Sequence, residues 1–225
     1  MSSQNIVRRG DELKGQIAVV TGGGRGIGRA IALTLAAAGA CTAVLARSQS
    51  EVAKTVAMIE EAGGRAQAFV ADVTDAMAVG TTMVEIERAL GPVDLLVNNA
   101  AKQGPMGPFC ETDVDEWWRT MAVNLSCPML CSRAVLPGMI SRHTGRIVNI
   151  ASSAAPIAYF SSCVTSKTAL IRFTETVANE IRPYGVSLFA VGPGTVRTAH
   201  WLLGHREAGR HLAGKRRSLQ QHPGD

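Results

Sequence analysis

Short apolar runs alternate with longer amphipathic segments along most of the chain, and polar or glycine-rich turns separate them. Residues 16–20, 41–46, 66–71, 93–97, 145–150 and 186–191 are of strand type, and the run from Val93 to Val97 is apolar enough for a strand buried on both faces. Residues 26–38, 49–62, 75–90, 114–143 and 162–182 read as helices. Gly39, Gly63-Gly64 and Gly91-Pro92 stop the first three. Ser48 is a suitable N-cap for the second, and Asp75 or Thr74 for the third. Pro137 lacks an amide hydrogen and is expected to bend or break the long fourth helix. Strand and helix alternate with no repeat or low-complexity linker, which predicts an α/β fold with one doubly wound parallel sheet and helices on both faces. Ligands bind such sheets at the C-terminal ends of the strands, so the chemistry is to be sought in those turns.

Composition narrows the picture. A chain of 225 residues suffices for one sizeable α/β domain, and 46% hydrophobic against 18% charged residues supplies an ordinary globular core. The net charge of +5 is uneven: Arg206, Arg210, Lys215, Arg216 and Arg217 gather near the end. No aromatic or groove-reading pattern accompanies them, so a solvated basic tail is expected and no nucleic-acid partner. The 5 cysteines are odd in number and lack framework spacing, as in reduced cytosolic thiols. Cys127 and Cys131 share a helix face without His or Cys partners, and the histidines of the tail match no ligand spacing, so no metal site is predicted. Residues 1–15 are polar, without a signal-peptide core, and no run of about 18 apolar residues occurs. A cytoplasmic protein without a membrane span is expected.

The most informative turn is Thr21-Gly22-Gly23-Gly24-Arg25-Gly26-Ile27-Gly28, set between an apolar strand and a segment rich in helix formers. Glycines there let a phosphate approach backbone N–H groups at the positive end of a helix. The second strand ends at Ala46-Arg47. An acidic residue there would bind ribose hydroxyls and exclude a 2′-phosphate, whereas Arg47 offers a planar fork to phosphate oxygens. NADP(H) is therefore expected over NAD(H), the alternative being that Arg47 only faces solvent. Asp72 follows the third strand, where its carboxylate can accept from an adenine amino group or serve the turn.

Seven motifs recur in order: Thr21-Gly22-x-x-x-Gly26-x-Gly28, Asp72-Val73, Asn98-Asn99-Ala100-Ala101, Val123-Asn124-Leu125, Ile150-Ala151-Ser152-Ser153, Ser166-Lys167-Thr168-Ala169 and Pro193-Gly194-Thr195-Val196-Arg197-Thr198. Together they resemble the short-chain dehydrogenase/reductase family over about residues 14 to 200. The resemblance implies a Rossmann-like sheet over 16–198, with 1–15 as an extension and 199–225 as an atypical basic tail. It implies an oxidoreductase interconverting a small-molecule carbonyl and a secondary alcohol by hydride transfer. The cofactor would contact Gly22, Gly24, Arg25, Gly26, Ile27, Gly28, Arg47, Asp72, Val73, Asn99, Ala100, Lys167 and Thr198, the last at the nicotinamide carboxamide. Ala100 stands where the family most often has Gly. In the family a Ser hydrogen-bonds the substrate oxygen, a Tyr gives it a proton, a Lys lowers the Tyr pKa and holds the ribose, and an Asn orders a water. Ser152, Lys167 and Asn124 occupy three of these positions. Helices 114–143 and 162–182 resemble the family's packing surfaces, which implies a homodimer or homotetramer.

Two departures qualify this. The tyrosine position, one helical turn before Lys167, is Cys163. A thiol is acidic enough, but its sulfur ends ångströms short of a phenol oxygen and is a weak donor. Tyr159 lies four residues earlier, before or at the helix start. Impaired turnover is expected, the alternative being a degenerate dinucleotide-binding or partner subunit. The second departure is the ending: residues 199–225 contain nothing like a buried strand, so the last strand is expected to be missing, through a truncated or frame-altered C-terminus.

Overall fold

The computed structural model describes residues 10–152, 156–194 and 196. Six strands, β1 (Ile17–Thr21), β2 (Cys41–Ala46), β3 (Arg65–Val70), β4 (Leu95–Asn98), β5 (Gly145–Ile150) and β6 (Val186–Val191), form one parallel sheet in the order 3-2-1-4-5-6. The helices are α1 (Gly26–Ala37), α2 (Gln49–Glu61), α3 (Ala76–Leu90), α4 (Val114–Met121), α5 (Cys127–Ser141) and α6 (Ser161–Ile181). This is the strand order of the doubly wound Rossmann sheet, whose order reverses at β1, between β2 and β4.

Alternation along the strands builds a core on each face. Val19, Leu45, Leu96, Ile147 and Leu188 pack with Val79, Met83 and Ile86 of α3, with Cys127, Val135 and Met139 of α5, and with Ile181 of α6. Ala18, Val20, Val44 and Val97 pack on the opposite face with Ala32 and Ala36 of α1 and with Val52 and Ile59 of α2. Residues 10–15 dock on this second layer: the Gly10 and Leu13 amides donate to the Ala37 and Ala38 carbonyls that end α1. Among the described residues β6 is an edge strand, with Phe189 and Val191 exposed. The expectation about a last strand concerns residues 199–225, which lie outside the described ones.

Ser48 and Asp75 cap α2 and α3 as the sequence suggests, each accepting first-turn amides. The long fourth helix differs from expectation. It runs on through Pro137 to Ser141, and its irregularity lies earlier, in a π-helical turn over Ala122–Ser126 where the Cys127 amide reaches the Ala122 carbonyl five residues back. By length and composition the combined helix Val114–Ser141 could cross a bilayer. It is a packed helix of this domain instead, with Cys127, Cys131, Val135 and Met139 in the core. β4 begins at Leu95 rather than Val93, because Asp94 turns its carboxylate to the Ile17 amide at 2.9 Å.

Candidate active site

The register of β1 against β4 pairs Val20 with Val97, so the turns after both strands emerge side by side. The Thr21 hydroxyl accepts the Asn99 and Ala100 amides at 3.0 and 3.1 Å. The Asn99 side chain donates back to the Thr21 and Gly22 carbonyls at 3.0 and 3.3 Å. Alanine at position 100 therefore leaves this junction intact. Gly22 has φ +64°, and a Cβ there would lie 2.9 Å from the Ala100 Cα. At Gly28 a Cβ would lie 2.2 Å from the Gly22 carbonyl oxygen. The turn therefore closes against the first turn of α1 only with glycine at both places.

Helices α2, α3 and α4 start under side-chain caps from Ser48, Asp75 and Asp113. Helix α1 has no side-chain cap and no acidic residue in its first turn. Its leading amides, at Gly26, Ile27 and Gly28, face the glycine turn at the point where the strand order reverses. Such an end suits an anion, through aligned N–H groups and the helix dipole. Two residues not singled out from the sequence brace the turn from behind. The Thr55 hydroxyl lies 3.1 Å from the Gly23 carbonyl and 3.2 Å from that of Gly24. Arg29 bonds both Thr55 and the Gly24 carbonyl. Thr55 interrupts the apolar stripe Val52–Ile59 of α2, the one sequence signal that could have marked it.

At the outer end of this cleft Arg47 and Asp72 form an ion pair at 3.9 Å, and Arg25 pairs with Glu51 at 3.7 Å. The Thr74 amide above all, with its hydroxyl and Arg47, holds the Asp72 carboxyl below its ordinary range, although partial burial opposes them. Of the two expectations for Asp72 the structure shows the turn: Oδ1 accepts the Thr74 amide and hydroxyl, while Oδ2 faces Arg47. Val73, beside it, is 6% exposed and belongs to the core.

Asn124 is fully buried in the π-helical turn. Its Oδ1 accepts the Lys102 amide at 2.8 Å, and its Nδ2 donates to the Lys102 carbonyl at 2.8 Å and to the Ser166 hydroxyl at 3.0 Å. It thereby ties the loop after β4 to α6, with one Oδ1 lone pair left over. Lys102, another residue the sequence did not flag, extends its ammonium to Glu116 of α4 at 2.5 Å. Lys167 of α6 is 6% exposed, and its Nζ donates to the Ile150 carbonyl at 2.6 Å. Ile150 ends β5, and Ser152, two residues on, is exposed. Cys163 stands one turn before Lys167. Burial pushes its thiol up, which Lys167 only partly offsets. Burial lowers the Lys167 ammonium to about 8. Tyr159 precedes α6, as the sequence suggests, with φ +70° and its carbonyl accepting the Gly107 amide at 3.1 Å. Ser153 and Thr198 lie outside the described residues.

The structure thus joins Asn124 to the loop after β4 and to α6, and fastens Lys167 to the end of β5, with Cys163 one turn before Lys167 and Ser152 two residues beyond Ile150. Behind them a buried amide chain locks the strand ends together: Asn98 donates to Asn149 at 2.9 Å, and Asn149 to Thr174 at 2.9 Å. No group of three or more His, Cys, Asp or Glu suited to a metal occurs among the described residues.

The model of the short chain dehydrogenase family matches residues 16–203. A short chain dehydrogenase of Pseudocercospora fijiensis is 39% identical over 191 residues, covering 83% of this chain and 62% of that protein. The 2,3-dihydro-2,3-dihydroxybenzoate dehydrogenase of Bacillus subtilis is 36% identical over 200 residues, covering 88% of this chain and 76% of that protein. The chain therefore spans less than two thirds of the first of these relatives. Among solved structures, an NAD+-bound xylitol dehydrogenase superposes with TM-score 0.82 at 35% identity, covering 84% of this chain and 74% of that one. A metagenomic short-chain oxidoreductase in complex with NADP gives 0.79 at 37% identity, covering 83% and 86%. With its sheet order, its glycine turn and this match over most of its length, the chain belongs to the short-chain dehydrogenase/reductase family.

Proposed function

We propose that the chain is an NADP(H)-dependent oxidoreductase interconverting a carbonyl and a secondary alcohol, with turnover impaired by Cys163. The uncapped start of α1 at the glycine turn after β1, together with Lys167 fastened to the end of β5, is the observation that carries this reading. When bound, the nicotinamide supplies the hydride that the carbonyl carbon gains or the alcohol carbon loses.

The chain's own residues do the rest. Backbone groups of Gly22, Gly24, Gly26, Ile27 and Gly28 take the pyrophosphate. Arg25 and Arg47 face a 2′-phosphate, and Asp72 and Val73 border the adenine. Asn99 and Ala100 wall the cleft at β4, Lys167 holds the ribose, and Thr198 meets the carboxamide. Exposed ion pairs are worth only about 0–1 kcal/mol, so the 3.9 Å pair with Asp72 leaves Arg47 available to phosphate. No carboxylate ends β2, which favours NADP(H), although the similar structures include both an NAD+ and an NADP complex. Ser152 donates to the substrate oxygen, and Asn124 fixes the loop and helix around it. The protein acts in the cytoplasm as a homodimer or homotetramer, residues 16–198 forming the cofactor-binding unit. A second reading, a catalytically degenerate dinucleotide-binding or partner subunit, is favoured by one observation: the short Cys163 thiol is made less acidic by burial.

Fluorescence titration with NADPH, followed by NADPH consumption over a panel of ketones, tests both. The first reading expects binding and slow turnover, and Cys163→Tyr is expected to raise turnover by about 10²- to 10⁴-fold at unchanged cofactor affinity. Binding without turnover in the parent, restored in Cys163→Tyr, establishes the degenerate reading. Absence of binding at millimolar NADPH refutes both.

A further inference from the structure

Helix α6 carries two groups with an exchangeable proton near the end of β5, the Cys163 thiol and the Lys167 ammonium. Cys163 and Lys167 lie one turn apart on one helix face. The Lys167 Nζ is fastened to the Ile150 carbonyl, so the ammonium sits at the strand end that carries Ser152 two residues later. That contact uses one of three N–H donors. The sulfur of Cys163 ends at the γ position, and S–H is a weak donor. We propose that Lys167, not Cys163, delivers the proton to the substrate oxygen, directly or through one water. The proposal rests on the oxidoreductase reading above.

The acid strengths agree with the geometry. Free thiols titrate near 8.5 and free ammonium groups near 10.4, about two units apart. Here burial lowers Lys167 to about 8 and raises Cys163, so the order is reversed and the ammonium is the stronger acid. The titratable groups acting on Lys167 are thiols, Cys163 on its own helix and Cys127 on α5. Cys127 is itself held neutral by its contact with Cys131 and by burial. During reduction the carbonyl carbon gains a hydride from the reduced dinucleotide, the C=O π bond breaks, and the oxygen takes a proton from Nζ. The products are the alcohol, the oxidised dinucleotide and a neutral Lys167, which regains a proton from water.

Two measurements decide it. The first is NMR titration of the unliganded protein labelled at lysine Cε, with Lys167→Arg to assign the resonance. A Lys167 midpoint near about 8 supports the proposal, and one in the ordinary lysine range overturns it. The second is the pH profile of ketone reduction, run with NADPH binding measured in parallel. The rate is expected to fall about tenfold per pH unit above about 8. In Lys167→Arg this limb should vanish and kcat fall by about 10²- to 10⁴-fold, while the retained cation keeps NADPH bound. In Cys163→Ser, which has no titrating thiol, the limb should persist. Its disappearance there makes the thiol the donor and overturns the proposal. Intact NADPH binding with no turnover at any pH also overturns it while leaving the cofactor reading standing. Loss of binding in the parent chain refutes the oxidoreductase reading itself, and the proposal with it.

Discussion

Replacing Lys167 with Met should make the protein more stable at neutral pH and less stable in strong base. A buried ammonium that titrates at about 8 instead of 10.5 is disfavoured in the folded state by about 3 kcal/mol at pH 7. Met fills most of the same apolar volume without the charge. It also removes the 2.6 Å bond and leaves the buried Ile150 carbonyl unpaired, which costs about 1 kcal/mol. The net expectation at neutral pH is a gain of about 2 kcal/mol for the variant. The sign of the pH dependence follows from proton counting. Between about 8 and 10.5 the unfolded chain binds more protons at Lys167 than the folded chain, so the parent's stability rises with pH across that window. The penalty is fully present below the folded value and absent above the unfolded one. In strong base the variant should therefore be the less stable of the two, by about 1 kcal/mol. Urea denaturation of both proteins at a series of pH values measures the difference directly, and other basic titrations cancel in it. A difference that does not change with pH, or that grows in favour of the variant as pH rises, refutes the picture of a desolvated ammonium.

Other expectations are simpler. Arg47→Ala should weaken NADPH binding about tenfold or more and leave NADH nearly unchanged, as titration of both will show; equal losses would contradict a phosphate role. Gly28→Ala places a methyl group 2.2 Å from the Gly22 carbonyl oxygen, so thermal melts should show about 1–3 kcal/mol lost together with dinucleotide affinity. A variant as stable as its parent would mean that the turn does not close as described. Thr55→Val keeps the shape but removes the hydroxyl that braces the Gly23 and Gly24 carbonyls. A loss of about 1–2 kcal/mol is expected, with weaker NADPH binding in the same titration.

The sequence determined the order and type of the strands and helices, because alternation of apolar positions and the signals at Ser48, Asp75 and Gly91 are local. It also marked the glycine turn and, through the family resemblance, suggested Asn124, Ser152 and Lys167, each in a short contiguous motif, with Cys163 placed by its spacing from Lys167. Pro137 does not break the helix, since a helix interior can lose one amide bond when packing holds it, and the irregularity lies instead at Ala122–Ser126, just before Pro128, which has no amide to offer the Asn124 carbonyl. Only the tertiary structure decided what those residues touch. Thr55 braces a turn about thirty residues away in sequence, together with nearby Arg29, and Asn124 spends its amide on Lys102 and Ser166. The reversal of acid strength between Cys163 and Lys167 was likewise hidden. Desolvation depends on what surrounds a group in space, and the Ile150 carbonyl that anchors Lys167 comes from a different strand.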